Sequence, residues 1–368
     1  MKKSEIIKFI EDWAPGGAAW QKDNPGLQVG YPEHEVKNIL ICLEVTQRTI
    51  KEAMRKSCNL IISHHPLIFN PLRRITPQND KTSEIITELI KNNITLFSAH
   101  TNLDFTKDGV SFQLAKKLEL QNVTFLKNLE GNQKKIVVFV PSSHLNEVSS
   151  AVFNAGGGII GEYSGCSFRI SGEGTFLGSD TSNPVLGEKG KFEKVEEVRL
   201  ETIVNNWNLK KVLSALLKAH PYEEPAYDIY PLENKNVNFG MGAVGEFEFI
   251  IAADKFLESI SKKLNIKNLR YTSGRKQGIK KVAVCGGSGS DLLFEAISSG
   301  ADAFITADIK YHTFHDAEGK ILLVDAGHFE TEVVVLNEIK RRLENYIGKG
   351  NPIKIYTFSK TNPIKNFN

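Results

Sequence analysis

The sequence predicts an α/β protein whose first and last thirds together form one doubly wound core, with a separate α+β domain inserted between them. Three observations predict this fold. Short apolar runs alternate with helical stretches in both outer thirds, which is the pattern of βαβ units. The middle third instead follows the order βαββαβ of the ferredoxin-like plan. Turn-rich segments at 128–133 and 234–245 separate the middle third from the two outer thirds.

The elements of the outer thirds follow from apolar periodicity and turn residues. The first third predicts an amphipathic helix at 1–13, a strand at 39–43, a helix from Thr46 to Lys56, a strand at 60–62 and helices at 81–92 and 109–118. The last third predicts a strand at 280–285, a helix at 291–299, strands at 303–305 and 321–324, and a helix continuing through Leu343. Segment 67–80 is expected to be a loop, in which Arg73 and Arg74 either meet an anionic substrate or are simply solvated.

The middle third predicts a domain that folds on its own. Its expected elements are a strand at 135–140, a helix at 145–154, strands at 166–171 and 195–204, a helix at 209–219 and a strand at 226–232. The predicted boundaries are 1–129 for the first half of the core domain, 130–236 for the insertion and 237–368 for the second half of the core.

Composition is that of an ordinary globular protein. The 368 residues include 46 Lys and Arg against 43 Asp and Glu, a net charge of +3, which gives no support for a nucleic-acid binder. The start alternates apolar with charged residues, unlike a signal peptide, and no apolar run approaches the roughly 20 residues that span a bilayer. Four scattered cysteines form no Cys-x-x-Cys pair. We expect a reduced cytoplasmic location, no membrane association and no thiolate metal site.

Potential ligands follow the predicted strands where they end. His64 and His65 come directly after the run at 60–62, and three other runs lead into segments 98–104, 306–312 and 325–332. An isolated His-His pair is more often structural than a metal site. Since the carboxyl ends of strands in an open α/β sheet share one crevice, however, the four ends could converge. In the last of these segments, His328 and Glu332 are spaced i and i+4, which places both on one helix face.

Glycine-rich segment 286–290 follows a predicted strand, as phosphate-binding turns do. It lacks the Gly-Lys-Ser/Thr of a P-loop and the Gly-x-Gly-x-x-Gly of a dinucleotide fold. A tight βα turn is therefore the better interpretation.

Four segments in order carry a family resemblance: Ser63-His64-His65-Pro66, residues 100–104, residues 306–312, and Gly327-His328 with Thr331-Glu332. They resemble the dinuclear-metal hexamer family called GTP cyclohydrolase I type 2, or Nif-three-like, and the insertion resembles the PII/CutA-like module of its longer bacterial members. The resemblance implies a toroidal homohexamer and the metal ligands His64, His65, Asp104, His328 and Glu332, with Glu332 as a bridge. Glu44 and Ala307 stand where many members have Asp and Gly, and neither position is one of the five ligands.

Ligand chemistry agrees with that resemblance. Imidazoles with carboxylates suit Zn, Mn, Fe, Co or Ni, and we expect two divalent transition-metal ions per chain, with Zn the leading candidate. Five ligands serve two metals if a carboxylate bridges, which is a site for hydrolase chemistry. His100, Asp308 and His312 are candidates for proton transfer or for orienting the ligands, and each is equally well a structural hydrogen bonder.

Two function classes remain open. The first is a metal-dependent hydrolase of a small molecule such as a nucleotide, and the family name suggests opening of the guanine ring of GTP with release of formate. No guanine-specific motif is present. The second class is a non-enzymatic metal-binding regulatory or interaction protein, in which the insertion senses a ligand or caps an assembly.

Overall fold

The computed structural model describes residues 1–365, which form two compact units. One unit contains Met1–Lys127 together with the described residues from Phe239 onward, and the other is Asn128–Asn238. Among the described residues, none of the helices is both long and apolar enough to cross a lipid bilayer.

Strands and helices alternate along most of the chain. The strands are β1 (Gly26–Val29), β2 (Asn38–Cys42), β3 (Leu60–Ser63), β4 (Thr95–Ser98), β5 (Gln121–Asn128), β6 (Gln133–Pro141), β7 (Ser167–Leu177), β8 (Phe192–Asn205), β9 (Tyr227–Leu232), β10 (Gly240–Ala252), β11 (Arg270–Thr272), β12 (Gly278–Val284), β13 (Ala303–Thr306), β14 (Leu322–Asp325) and β15 (Lys354–Phe358). The helices are α1 (Lys3–Trp13), α2 (Gln47–Arg55), α3 (Lys81–Lys91), α4 (Thr101–Asp104), α5 (Val110–Lys117), α6 (Leu145–Asn154), α7 (Asn206–Ala219), α8 (Ala253–Leu264), α9 (Leu293–Ser298), α10 (Tyr311–Ala317), α11 (His328–Glu332) and α12 (Val335–Ile347). Short 3₁₀ turns lie at Gly16–Ala18, Ser142–His144 and Ser290–Leu292.

The first sheet of the larger unit has the strand order β1-β4-β3-β2-β15. Its strands run in parallel except β1, which pairs antiparallel with β4. Successive side chains of a buried strand point to opposite faces of the sheet, and helices cover both faces here. Ile39 and Ile41 pack into the layer that contains residues of α1 and α12, whereas Leu40 and Cys42 pack into the layer that contains residues of α2 and α3.

A second sheet of the larger unit has the order β11-β14-β13-β12-β10-β5. Its centre, β12-β13-β14, is parallel, and β11 and β10 pair antiparallel at either side. Val282 and Val284 pack into the layer that contains residues of α5 and α8, whereas Ala283 packs into the layer that contains residues of α9 and α10. Each sheet of this unit is thus the middle layer of an αβα sandwich.

In the smaller unit, the element order is βαββαβ and the sheet order is β7-β8-β6-β9, with antiparallel pairing throughout. Alternate residues of β6, such as Ile136 and Val138, pack against α6 and α7. This is the arrangement of the split βαβ plan. The likeness to PII or CutA proteins stays a prediction.

The mixed α/β class is confirmed, and the structure adds detail to the predicted core. The outer thirds build two sheets, and β15 from the end of the chain completes the sheet of the first third. The single helix predicted through Leu343 is divided into α11 and α12 at Val333 and Val334. Consecutive β-branched residues have low helix propensity, which agrees with a break at this point.

Candidate metal centre

Two histidines leave strand β3 together. The backbone N–H groups of His64 and His65 donate to the carbonyl oxygens of Cys42 and Leu43 at 3.0 and 2.9 Å, which holds this stretch beside β2. The backbone bends at both histidines, so consecutive side chains are no longer forced to opposite faces. Their ring centroids lie 4.9 Å apart, and His64 is fully buried.

Strand β4 supplies two more groups at the same edge of the sheet. The ring of His100, just before α4, lies 5.3 Å from that of His64 and 5.4 Å from that of His65, between centroids. Asp104 ends α4, and its Oδ1 lies 3.6 Å from Nε2 of His64. Parallel pairing of β3 with β4 is what brings these two strand ends together.

The second sheet contributes α11, which follows β14. Gly327 has a φ of 80°, a left-handed conformation that favours glycine, and it turns the chain into this helix. Nε2 of His328 lies 3.0 Å from Oε1 of Glu332, as the i, i+4 spacing predicts. The other oxygen, Oε2, lies 3.0 Å from Nε2 of His65, and Oε1 lies 3.7 Å from Nε2 of His64. Buried Glu332 therefore lies between histidines from both sheets.

Nitrogen and oxygen atoms of these residues form two overlapping triplets. Within His64, His65 and His100, and within His65, His328 and Glu332, the candidate ligand atoms all lie within 4.8 Å of one another. His65 belongs to both triplets. The two triplets therefore adjoin one another, with His65 between them.

Each of the four histidines is held through Nδ1. The partners are the carbonyl oxygen of Ala99 for His64 at 2.8 Å, Glu44 for His65 at 3.1 Å, Asp23 for His100 at 2.8 Å and Asp308 for His328 at 2.6 Å. A neutral imidazole that donates from Nδ1 keeps its lone pair on Nε2, and this is how proteins orient histidine ligands of metals. All four rings are therefore fixed in an orientation suited to coordination.

Charged groups in the cluster strongly affect one another's pKa values. Burial raises the pKa of Asp104 to about 7; His64 opposes this shift and Glu332 adds to it. Burial would also raise the pKa of Glu332, but His64 and hydrogen bonds with its imidazole neighbours hold that pKa well below its usual range. The hydrogen bond to Glu332 raises the pKa of His328 to about 9. His328 and Glu332 thus each favour the charged form of the other, and a divalent cation would also stabilise the buried carboxylate.

Several buried polar atoms lack hydrogen-bond partners among the residues the structure describes. They include Nε2 of His64 and Oδ1 of Asp104. Leaving a buried polar atom unpaired costs about 1–3 kcal/mol, so native proteins usually satisfy such atoms. Imidazole nitrogens with carboxylate oxygens are the donor set of Zn, Mn, Fe, Co or Ni. The residues present therefore fit transition-metal ions.

The three predicted catalytic residues occupy different places. His100 belongs to one of the two ligand triplets, and Asp308 touches the cluster through His328. His312 is exposed on α10, where its ring contacts Tyr311, with a centroid separation of 5.5 Å, and it belongs to neither ligand triplet.

Sequence reasoning missed Asp23 as a site residue. Both oxygens of its carboxylate are used: Oδ1 by His100, and Oδ2 by the backbone N–H of Thr101 at 3.1 Å and the hydroxyl of Thr101 at 2.5 Å. Burial opposes ionisation of Asp23, but the His100 and Thr101 hydrogen bonds prevail and hold its pKa far below the usual range. Asp23 lies in an aperiodic turn, where no sequence signal distinguished it from other turn residues.

Glycine-rich turn 286–289 lies against the centre. A Cβ on Gly287 would stand 2.2 Å from Oε1 of Glu332, and the φ of Gly287 is 63°. The N–H groups of Gly287 and Gly289 donate to the hydroxyls of Thr331 and Thr306 at 3.0 and 2.9 Å. These donors are used within the protein, which agrees with a tight βα turn.

Comparisons with known proteins identify relatives across nearly the whole chain. The model of the Duf34/NIF3 (NGG1p interacting factor 3) family matches residues 1–363. A Bacillus subtilis protein described as GTP cyclohydrolase 1 type 2 homolog is 38% identical over 341 residues, which cover 92% of this chain and 91% of the relative. One with the same description from Halalkalibacterium halodurans is 37% identical over 345 residues, 93% of this chain and 92% of the relative. The crystal structure of a Bacillus cereus protein related to NIF3 superposes with a TM-score of 0.83 at 38% identity, covering 100% of this chain and 99% of the other.

Proposed function

The chain belongs to the Duf34/NIF3 family, and from that premise we propose that it binds two divalent transition-metal ions and is a metal-dependent hydrolase of a small molecule. The observation that carries the proposal is the arrangement of four imidazoles, each held through Nδ1, around the buried carboxylate of Glu332. Such ordered surroundings are expected of a ligand sphere and are not needed for packing alone.

The proposed ligands are His64, His65, Asp104, His328 and Glu332, with Glu332 shared between the two ions. Support for sharing comes from its two oxygens, which face histidines of different sheets at 3.0 Å each. Zn is the leading candidate, with Mn, Fe, Co and Ni as alternatives. Two such ions supply Lewis acidity, which polarises a substrate oxygen and makes water a nucleophile at neutral pH.

His100 and Asp308 have separate roles in this proposal. Asp308 holds the ring of His328, so it orients a ligand. His100 is held by buried Asp23 beside His64 and His65, which suits it to exchange a proton with substrate or water. His312 remains a predicted catalytic residue, and substitution by Ala would test whether exposed α10 contributes to turnover.

For the substrate we propose a nucleotide, with hydrolytic opening of the guanine ring of GTP and release of formate as the reaction to test first. Its support is the description shared by the curated relatives. Arg73, Arg74 and Lys310 are exposed, so they are free to meet an anionic substrate.

The alternative function is a metal-binding regulatory protein in which the smaller unit, proposed as an inserted PII/CutA-like domain, senses a ligand. One observation favours it: this unit contains a cavity of about 460 Å³, within the size range of small-molecule sites. Apolar Phe139 and Phe176 line it together with the carboxylate of Glu197 and the ring of Tyr222. A toroidal homohexamer is proposed with either function.

One experiment tests the main proposal. Protein reconstituted separately with Zn²⁺, Mn²⁺ and Fe²⁺ under reducing conditions would be analysed for bound metal and assayed for formate release from GTP and for hydrolysis of other nucleotides. Two ions per chain and metal-dependent turnover are expected. One ion or none would contradict the dinuclear site, whereas two ions without turnover on any substrate would favour the regulatory alternative.

A further inference from the structure

Asp325, the last residue of β14, connects the two chain segments that carry Asp308 and His328. Its buried carboxylate accepts two backbone hydrogen bonds of 3.3 Å, from the N–H of Gly327 on Oδ1 and from the N–H of Ile309 on Oδ2. Gly327 directly precedes His328, and Ile309 directly follows Asp308. The carboxylate therefore joins the segment after β13 to the segment after β14, beside the proposed ligand.

The side chain of Asp325 acts where the backbone pairing of these two strands ends. Strands β13 and β14 are parallel, with Thr306 opposite Asp325, and the N–H of Ala326 donates to the carbonyl oxygen of Thr306 at 2.8 Å. Past this point, side chains join the two segments. Asp325 is one of them, and the other is Asp308, whose Oδ2 lies 2.6 Å from Nδ1 of His328. The two carboxylates and the two segments thus form a closed circuit of hydrogen bonds.

This circuit contains two residues with left-handed backbone conformations. The φ angle is 54° at Asp308 and 80° at Gly327. A residue other than glycine keeps such a conformation only when the surrounding structure holds it there. The bonds of Asp325 fix the peptide group after Asp308 and the peptide group before Gly327, so they act directly on both turns.

Arg270 on strand β11 holds the Asp325 carboxylate in turn. The two residues stand opposite each other in the antiparallel pair β11–β14, and Nη2 of Arg270 donates to Oδ2 of Asp325. The guanidinium also lies 5.7 Å from the ring centroid of Phe314 on α10. Its side chain is 66% exposed, so substitution of Arg270 would remove the ion pair with little change in core packing.

We propose that Asp325 is a positioning residue of the metal centre, which together with Arg270 sets the placement of Asp308 against His328 and thereby the direction of Nε2 of His328. This inference rests on the proposed function. His328 belongs to one of the two ligand triplets and not to the other. Asp325 should therefore influence the binding of one of the two proposed ions and leave the other unaffected.

A second buried aspartate of the same sheet provides a matched control. Asp302 directly precedes β13, at the amino end of the parallel strands, whereas Asp325 lies at their carboxyl end. Asp302 also accepts from two consecutive backbone N–H groups of β12, at 2.9 Å each, and pairs with Lys276 at 2.6 Å. Asp302→Asn and Lys276→Gln thus remove the same kinds of contact as Asp325→Asn and Arg270→Gln, at the end of the strands that carries none of the proposed ligands.

Titration of the metal-free, full-length proteins with Co²⁺ would measure both affinity and ligand geometry, because the visible absorption of bound Co²⁺ depends on how its ligands are arranged. Elemental analysis would count the bound ions, and thermal unfolding without metal would report stability. Partners that orient metal ligands account for about 10- to 100-fold in metal affinity, and a residue one contact further out should contribute less.

We expect Asp325→Asn to weaken one of the two Co²⁺ equivalents about three- to tenfold and to change its absorption, a smaller effect than that of a direct partner. Arg270→Gln should change the same equivalent in the same direction, but less. Asp302→Asn and Lys276→Gln should retain wild-type affinity and absorption at both equivalents, even where they lower the unfolding temperature of the metal-free protein.

Wild-type affinity and absorption in both Asp325→Asn and Arg270→Gln would overturn this inference alone. An equal loss at both equivalents would also overturn it, since that result indicates a general structural defect. If Asp325→Asn does not fold, Arg270→Gln decides the question, because its exposed side chain can be replaced without disturbing the core. Wild-type protein that binds fewer than two Co²⁺ ions would overturn the proposed function and this inference with it.

Discussion

Asp308 pairs with Nδ1 of His328 at 2.6 Å, and it does so from a left-handed backbone position with a φ of 54°. Only a few residue types adopt that conformation readily, and Asp and Asn are among them. The position thus combines a backbone requirement with a carboxylate that orients a proposed ligand.

Asp308→Asn should weaken metal binding about tenfold with little change in fold, because Asn tolerates the backbone but carries no charge to support the imidazole. Isothermal titration with Zn²⁺ would measure the effect. Asp316→Asn, on exposed α10, is the matched control and should bind like the wild type. Equal affinities in the two variants would contradict an orienting role for Asp308.

Glu332→Gln should lose more than one equivalent of metal, because this carboxylate faces histidines on both sides. His64→Ala should lose mainly one equivalent, since His64 approaches the carboxylate from one side only. Elemental analysis of reconstituted proteins distinguishes the two results. If both variants retain the same amount of metal at unchanged affinity, Glu332 is not shared.

Gly287→Ala should reduce metal binding through a steric effect on Glu332. The added Cβ would stand 2.2 Å from Oε1, and the φ of 63° adds backbone strain of about 1–2 kcal/mol. Gly300→Ala isolates the strain, since Gly300 has a φ of 77° and its Cβ would have no neighbour within 4 Å among the described residues. We expect both variants to lose stability, Gly287→Ala at least as much as Gly300→Ala, and only Gly287→Ala to lose metal. Retention of metal by Gly287→Ala would contradict the close approach.

His220, in the smaller unit, should make stability depend on pH. Burial lowers the pKa of His220 from 6.5, and the hydrogen bond from Nε2 to the carbonyl of Phe139, at 2.9 Å, opposes the shift only in part. Between the two pKa values the unfolded chain binds more protons, so stability rises with pH there. The contribution of His220 to stability is complete above about pH 6.5, the pKa of histidine in the unfolded chain. It is lost as the pH falls toward the lower pKa of His220 in the folded protein.

His220→Gln would test this assignment by thermal unfolding between pH 5 and about 8, where folded proteins are usually stable. The difference in unfolding temperature between wild type and variant should shrink on acidification, because only the wild type loses the His220 contribution. Other titrating groups are the same in both proteins, so their effects cancel in the difference between the two unfolding temperatures. A difference that is constant across this range would show that His220 has the same pKa folded and unfolded.

The sequence predicted those features of the fold and the cluster that local pattern determines. Apolar runs that stop at His64, at His100 and near His328 identified the strand ends, and the spacing of His328 and Glu332 predicted their contact. Sheet membership could not be predicted, because periodicity shows that a strand is buried but not which strand pairs with it. Parallel pairing of β15 with β2 joins segments from opposite ends of the sequence.

Hydrogen bonds between residues far apart in the sequence could not be predicted either. Asp23 holds His100 from 77 positions away, and a turn residue with an ordinary environment in sequence gives no sign of such a contact. In the sequence, Glu44 is distinguished only by its departure from a family pattern, although it is the residue that holds His65. Hydrogen bonds of this kind form only when the order of strands in the sheet brings the two residues together, and that order cannot be predicted from the sequence alone.

The proposed ligands come from two different sheets, and this has a consequence for the lifetime of the protein. His64 and His65 extend from the first sheet, while α11 extends from the second, so ions between them would act as a removable cross-link. An ion present at about 100 times its dissociation constant adds about 2.7 kcal/mol to the stability of the folded state. Starvation for metal would therefore raise the population of opened molecules about a hundredfold, and cellular proteases act on that population. The supply of metal would then govern the abundance of the protein as well as its activity.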